Sequence, residues 1–215
     1  MNVSECNTTL IGTIKSEKKF SHEMYGEKFF VFKLEVKRLS GKNDIIPITI
    51  SEILVDNRLV IGTEVLVKGQ FRSYNSMENK KNKLILTVFV KDIYYDEEIS
   101  KQLELNKKQI SNEIVLTGYI CKNPTYRQTP LGREISDLVL AVNHSYNKSD
   151  YIPVIAWGRI ARLCKNLAVG TEVKIVGRVQ SREYEKKYED GKMEIKTAYE
   201  ISVMSLEVKE LEQVI

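Results

Sequence analysis

Alternation of apolar and polar residues with a period of two runs through most of this chain. In "DYIPVIAWGRIARLC", Ile152, Val154 and Ala156 fall on one strand face, and Tyr151, Pro153, Ile155 and Trp157 on the other. Ile160, Leu163, Cys164 and Leu167 then recur at helical spacing, so the strand is expected to pass into a short amphipathic helix near Gly158–Asn166. Similar β-branched runs predict strands near Asn112–Cys121, Glu134–Val142, Tyr151–Trp157, Glu172–Glu183 and Lys192–Leu206. Asp190-Gly191 is the tight-turn signal of the last hairpin.

The same pattern occurs twice. At an offset of 106, Gly12 matches Gly118, Gly26 matches Gly132, and Asp44-x-Ile46-Pro47 matches Asp150-x-Ile152-Pro153. The offset then becomes 108, where "GTEVLVKG" (Gly62–Gly69) answers "GTEVKIVG" (Gly170–Gly177) and Ser73 answers Ser181. So many ordered matches indicate a tandem duplication. Five strands with one helix between the third and fourth is the order of the OB barrel, whereas an SH3-like barrel has no helix there. The expected fold is therefore mainly β, two tandem five-stranded OB barrels at residues 1–95 and 112–207. The polar stretch 96–111 is expected to be a linker with some helical content, and 208–215 a short C-terminal end.

Composition narrows the function more by exclusion. A chain of 215 residues is long enough for two domains, each with its own core. Hydrophobic residues make up 42% and charged residues 29%, as in ordinary soluble proteins. No apolar run approaches the roughly 18–20 residues that span a bilayer, and "MNVSECNTTLIG" does not resemble a secretion signal. No membrane association is expected. Cys6, Cys121 and Cys164 lack metal-type spacing and read as reduced thiols of a cytoplasmic protein. His22 and His144 stand apart from any cysteine or carboxylate cluster, and no nucleophile elbow or phosphate loop is present. Neither an enzyme activity nor a metal or cofactor is expected. The formal net charge of +4 allows a polyanionic partner without demanding one.

The second copy carries an ordered set of marks. They are Gly118, Asn123-Pro124, Arg127, Gly132, Leu140-Ala141, Trp157-Gly158-Arg159, Ala161, Gly170, Gly177 and Ser181-Arg182-x-Tyr184. In this order they resemble the bacterial single-stranded DNA-binding protein (SSB) family over nearly its whole DNA-binding domain. The first copy matches only through its kinship to the second. The resemblance implies sequence-indifferent binding of single strands, by base stacking on Tyr146, Tyr151, Trp157 and Tyr184. It implies phosphate contacts at Arg127, Arg159 and Arg182, with Lys186 and Lys187 in the hairpin loop. Three of the four stacking positions hold tyrosine where tryptophan or phenylalanine is common in the family. Gln128 replaces a frequent aromatic, and the loop Asn143–Asp150 is short.

The resemblance further implies roles in DNA replication, recombination or repair, and a homodimer that brings four OB folds together. RNA is a partner of the same chemistry, because every base has a π-face. The chain end "LEVKELEQVI", with Glu210 and Glu212 before Val214-Ile215, does not match the family's acidic tail, so enzyme recruitment by that route is not expected. The alternative function is an OB-fold interaction scaffold, a replication or conjugation accessory protein with weak or RNA-directed binding. From pattern alone, Trp157 reads equally well as barrel packing, and Tyr184 and Tyr188 as cross-strand pairs.

In the first copy the stacking positions map to Ser40, Ile45, Ser51 and Ser76, and the arginines to Ser21, Ile53 and Tyr74. That copy is expected to keep the barrel and lack the site. Its own aromatics, Tyr25, Phe29, Phe30, Phe71 and Tyr74, are candidates for a different surface, with Phe30 and Phe32 expected in the core.

Overall fold

The computed structural model describes residues 4–78, 81–106, 111–144, 148–188 and 191–209. The first copy contains β1 (Cys6–Ile14), β2 (Lys19–Met24), β3 (Glu27–Lys37), β4 (Asn43–Ser51), β5 (Glu64–Glu78) and β6 (Lys81–Tyr95). After helix α1 (Glu97–Asn106), the second contains β7 (Asn112–Ile120), β8 (Thr125–Gln128), β9 (Glu134–Asn143) and β10 (Ser149–Trp157). Helix α2 (Gly158–Cys164), β11 (Glu172–Lys187) and β12 (Met193–Val208) complete it.

In the first barrel β1 pairs with β3 and β5, β3 with β4, β5 with β6, and β4 runs parallel to β6. The second barrel repeats this closure with β7, β9, β10, β11 and β12. Both are OB barrels. The alternation read from the sequence sets the register: Ile152, Val154 and Ala156 are buried inside the second barrel, as are Ile46, Ile48 and Ile50 inside the first. Phe32 is core, and Phe30 packs against it from a partly buried position.

One glycine pair, Gly69 and Gly177, shows why the repeat keeps it. A Cβ on Gly69 would lie 2.1 Å from the Phe89 carbonyl oxygen, and one on Gly177 would lie 2.5 Å from that of Ser202. Each sits at a register shift in the long hairpin, where the strands bend to close the barrel. Backbone approaches backbone too closely there for any side chain.

Two details differ from the sequence pattern. The edge strands β2 and β8 are additional to the five expected strands of each copy; β8 is only "TYRQ", too short and polar to show a period. The helix expected in the first copy is a single 3-10 turn, Glu52–Leu54. Ser51 Oγ accepts from Ile53 N at 3.1 Å and caps the turn, but Asp56 Oδ1 captures Arg58 N at 2.7 Å and diverts the chain into another turn. The Asp190-Gly191 turn is described only from Gly191, which has φ +79° and donates to the Tyr188 carbonyl at 3.0 Å.

The barrels join along an antiparallel β1–β7 ladder running from Cys6↔Leu116 to Leu10↔Asn112. Its middle pair, Thr8↔Ile114, joins residues that are each other's counterparts in the duplication, so a pseudo-twofold axis passes between them. On either side of the axis the repeated aspartates and serines form matching clusters. Asp44 Oδ1 accepts from Ser181 N at 2.7 Å and Oγ at 3.1 Å, and Ile45 N donates to Ser181 Oγ at 3.3 Å. In the mirrored cluster, Tyr151 N donates to Ser73 Oγ at 2.8 Å and Arg72 Nε to Asp150 Oδ2 at 2.6 Å. Arg38 and His144, also counterparts at the offset of 106, each lie against their own barrel's aspartate. Two separate barrels become one twelve-stranded sheet.

Candidate nucleic-acid interface

The outer face of the second barrel carries a groove of about 650 Å³. Strand alternation builds it. Ile155 and Trp157 of β10 face outward, and in the neighbouring strands β9 and β8 Ile135 and Arg127 lie in one row with Trp157. From the other side, Arg178, Gln180 and Arg182 project from one face of β11. Glu183 and Glu200 are the carboxylates of the lining, outnumbered by Arg127, Arg178, Arg182 and Lys42, while Arg38 is paired with the buried Asp44. The electrostatic character of the groove is cationic.

Trp157 ends β10 and stands at the N-cap of α2, and its side chain is partly open to solvent at 39% exposure. Tyr151 shares its strand face and is 52% exposed, held near the seam by its backbone bond to Ser73. Arg127 donates from Nε to Asp137 Oδ2 at 2.9 Å, which raises its pKa further and keeps it protonated at any ordinary pH. Arg182 lies 3.8 Å from Glu200, with its guanidinium 5.9 Å from the Tyr184 ring centre. Gln180 holds Glu200 by a 2.7 Å hydrogen bond, so that carboxylate is partly occupied.

The predicted residues separate into groups. Trp157, Arg127 and Arg182 meet in the groove. Tyr184 and Lys186 continue the face of Arg182 along the projecting β11–β12 hairpin, while alternation turns Lys187 to the opposite face. Arg159 is exposed on α2 and is not among the groove-lining residues. Tyr146 lies outside the described residues, as do Glu210, Glu212, Val214 and Ile215.

Sequence reasoning missed Arg178, which the spacing from Arg182 along one strand face could have found. It also missed Lys196, whose ammonium lies 5.5 Å from the centre of the Tyr188 ring, with that of Lys186 at 5.3 Å. Tyr188 donates to Glu194 at 2.5 Å and joins this cluster on the hairpin. Arg38 and Lys42 reach the groove from the first barrel, and no local pattern announces them.

The corresponding face of the first barrel is closed. Phe89 stands where the second barrel has Ser202, and its ring lies 5.3 Å from that of Phe29. His22 stacks on the far side of Phe29 at 4.9 Å. Thr49 and Thr87 bond to each other at 2.9 Å beneath, and Ser51, at the tryptophan position, is tied to Glu27. Phe29 and Phe71 are buried and offer no platform, while Tyr25 and Tyr74 are exposed. One alignment needs correction: a register shift in β2 places His22, not Ser21, opposite Phe29, as Arg127 is opposite Ile135.

Among the described residues no cluster of histidine, cysteine or carboxylate groups could hold a metal ion, and no helix is long and apolar enough to cross a membrane. Against known proteins, residues 111–209 match the model of the single-strand binding protein family. The single-stranded DNA-binding protein of Clostridium tetani is 37% identical over 108 residues, covering 47% of this chain and 70% of that protein. That of Caldanaerobacter subterraneus is 31% identical over 81 residues, covering 34% of this chain and 54% of that protein. The crystal structure of the wild-type single-stranded DNA-binding protein from Thermus aquaticus aligns over 99% of this chain and 97% of that one. Its TM-score is 0.69 at 19% identity, which shows that both barrels and their joining share its fold. With the second barrel matched in sequence and the whole chain in fold, this protein belongs to the single-strand binding protein family.

Proposed function

We propose that the second barrel binds single-stranded DNA without regard to sequence, in the service of replication, recombination or repair. The half-open Trp157 ring at the head of a groove lined by arginines carries this reading. Bases stack on Trp157, Tyr151 and Tyr184, and phosphates meet Arg127, Arg178, Arg182 and Lys186. Stacking of this kind contributes about 1–3 kcal/mol per base and is indifferent to base identity. The relatives named above are single-stranded DNA-binding proteins by name, which supports the choice of DNA.

The chain has a single tryptophan, so its emission reports on the site without labelling. Titration with a poly-thymidine oligonucleotide should quench Trp157 strongly, and affinity should fall as salt rises and counterions are released. Trp157→Ala, followed by anisotropy of a labelled oligonucleotide, should weaken binding by about 1–3 kcal/mol with the salt slope unchanged. A parallel poly-uridine titration ranks RNA against DNA. Absence of quenching and of binding at low salt would overturn the reading and leave an interaction scaffold.

A further inference from the structure

We infer that the first barrel works as one wall of the second barrel's groove, with the Lys42 ammonium contacting the phosphates of the bound strand. The inference rests on the DNA-binding reading above. It concerns the turn between β3 and β4, whose residues Arg38, Lys42 and Asn43 line the groove together with Trp157 and Arg182.

The turn is fixed in that place. Arg38 N donates to the Lys42 carbonyl at 2.8 Å and Gly41 N to the Arg38 carbonyl at 3.0 Å, with Gly41 at φ +80°. The Arg38 guanidinium donates to both Asp44 oxygens, at 2.6 and 2.5 Å, and to the Ser181 carbonyl at 3.0 Å. One arginine thus clamps the turn of one barrel to the strand β11 that carries Arg178 and Arg182. Pre-organisation of this kind removes the ordering cost that a mobile loop would add on binding.

The charges of the turn have different fates. Arg38 is neutralised by Asp44, a partner with no exposure at all, so its role is to hold the wall in position. Lys42 is exposed at the groove and forms no ion pair with any described carboxylate. An uncompensated ammonium held at the rim of a cationic groove suits a phosphate. A barrel whose own face is closed by Phe29 and Phe89 would in this way still act on the strand.

The test is a set of oligonucleotide titrations on the full chain at several salt concentrations. Lys42→Ala should weaken poly-thymidine binding several-fold at low salt and reduce the salt slope by about 0.7, the value for one phosphate contact on a single strand. Lys42→Glu should weaken it further, and Lys42→Arg should restore it. Trp157 quenching at saturation should stay unchanged in all three, because stacking is untouched. Lys101→Ala, on α1, is the control for net charge and should bind as the wild type does. Wild-type affinity and slope in Lys42→Glu, or an equal loss in Lys101→Ala, would overturn the inference while leaving the DNA-binding reading standing. Failure of the wild-type protein to bind would overturn both.

Discussion

Replacing Asp44 by alanine tests whether the two barrels are one mechanical unit. The carboxylate is fully buried and takes donors from Arg38 Nε and Nη2, Ser181 N and Ser181 Oγ. Asp44→Ala removes every one of these acceptors at once. Breaking one side of a buried ion pair costs about 3–5 kcal/mol. Arg38 retains some access to water, with its side chain 18% exposed, so the lower end of that range applies. The stranded Ser181 N–H offsets part of that relief, leaving an expected loss of about 3 kcal/mol. For a chain of this size that corresponds to a fall in Tm of about 6–12 °C.

The assay exploits the geometry. Trp157 lies in the second barrel and Asp44 in the first, whereas far-UV circular dichroism reports on both. In the wild-type protein the urea transitions seen by the two probes should coincide. In Asp44→Ala the Trp157 transition should move to lower urea although the substitution lies in the other barrel. The double variant Arg38→Met/Asp44→Leu, which removes the charges together, should recover much of the loss. A Trp157-detected transition shifted by less than about 1 kcal/mol in Asp44→Ala would refute the coupling argument, since single surface changes stay within about 0.5 kcal/mol.

Two further outcomes follow from packing. Gly177→Ala should destabilise the second barrel by about 1–3 kcal/mol or more, because the new methyl meets the Ser202 backbone and not a yielding side chain; urea unfolding measures it. Among the thiols, burial pushes Cys6 and Cys164 up to about 11, while Cys121, nearer the surface, is raised by a smaller burial effect. Thiolate, the reactive form, is therefore scarce at pH 8 in the folded chain, and a disulfide reagent should label Cys121 first. Cys6 and Cys164 should react at the rate of unfolding, and fast labelling of all three in the native protein would contradict the burial.

The barrels were legible because a two-residue period with one face buried fixes strand and register together, as Ile152, Val154 and Ala156 show. The edge strands β2 and β8 were not, since an edge segment such as Thr125–Gln128 packs on too little to impose a pattern. The aromatic and basic candidates came from the family resemblance of the second copy, so Trp157, Arg127 and Arg182, which that copy carries, were within reach. Arg38 and Lys42 were not, because their proximity to Trp157 depends on how one barrel is set against the other. Arg159 shows the converse limit: it adjoins Trp157 in sequence, yet the turn from strand into helix carries it away from the groove lining.

The duplication separates two kinds of constraint. A contact across a pseudo-twofold axis is made twice, once by each copy in each role: Ser181 Oγ accepts from Ile45 N and Ser73 Oγ from Tyr151 N. Across the same seam Asp44 accepts from Ser181 and Asp150 from Arg72, so each copy keeps both its aspartate and its serine. The Asp-x-Ile-Pro mark repeats for that reason, and its aspartate belongs to the seam. Groove residues that make no seam bond, such as Trp157 and Arg127, are free to diverge. In the first barrel that divergence is a gain of packing as much as a loss of rings, since Phe29, Phe89 and His22 fill the space that Ile135, Ser202 and Arg127 leave open. A tryptophan placed at Ser51 would accordingly build no site by itself. It would lose the cap on Ile53 and the bond to Glu27, and would still stand beside a face floored by Phe89. On the proposed reading, grip on a base is a property of the whole sheet face, and Trp157 is suited to it because Ser202 is small and Arg178 lies beside it.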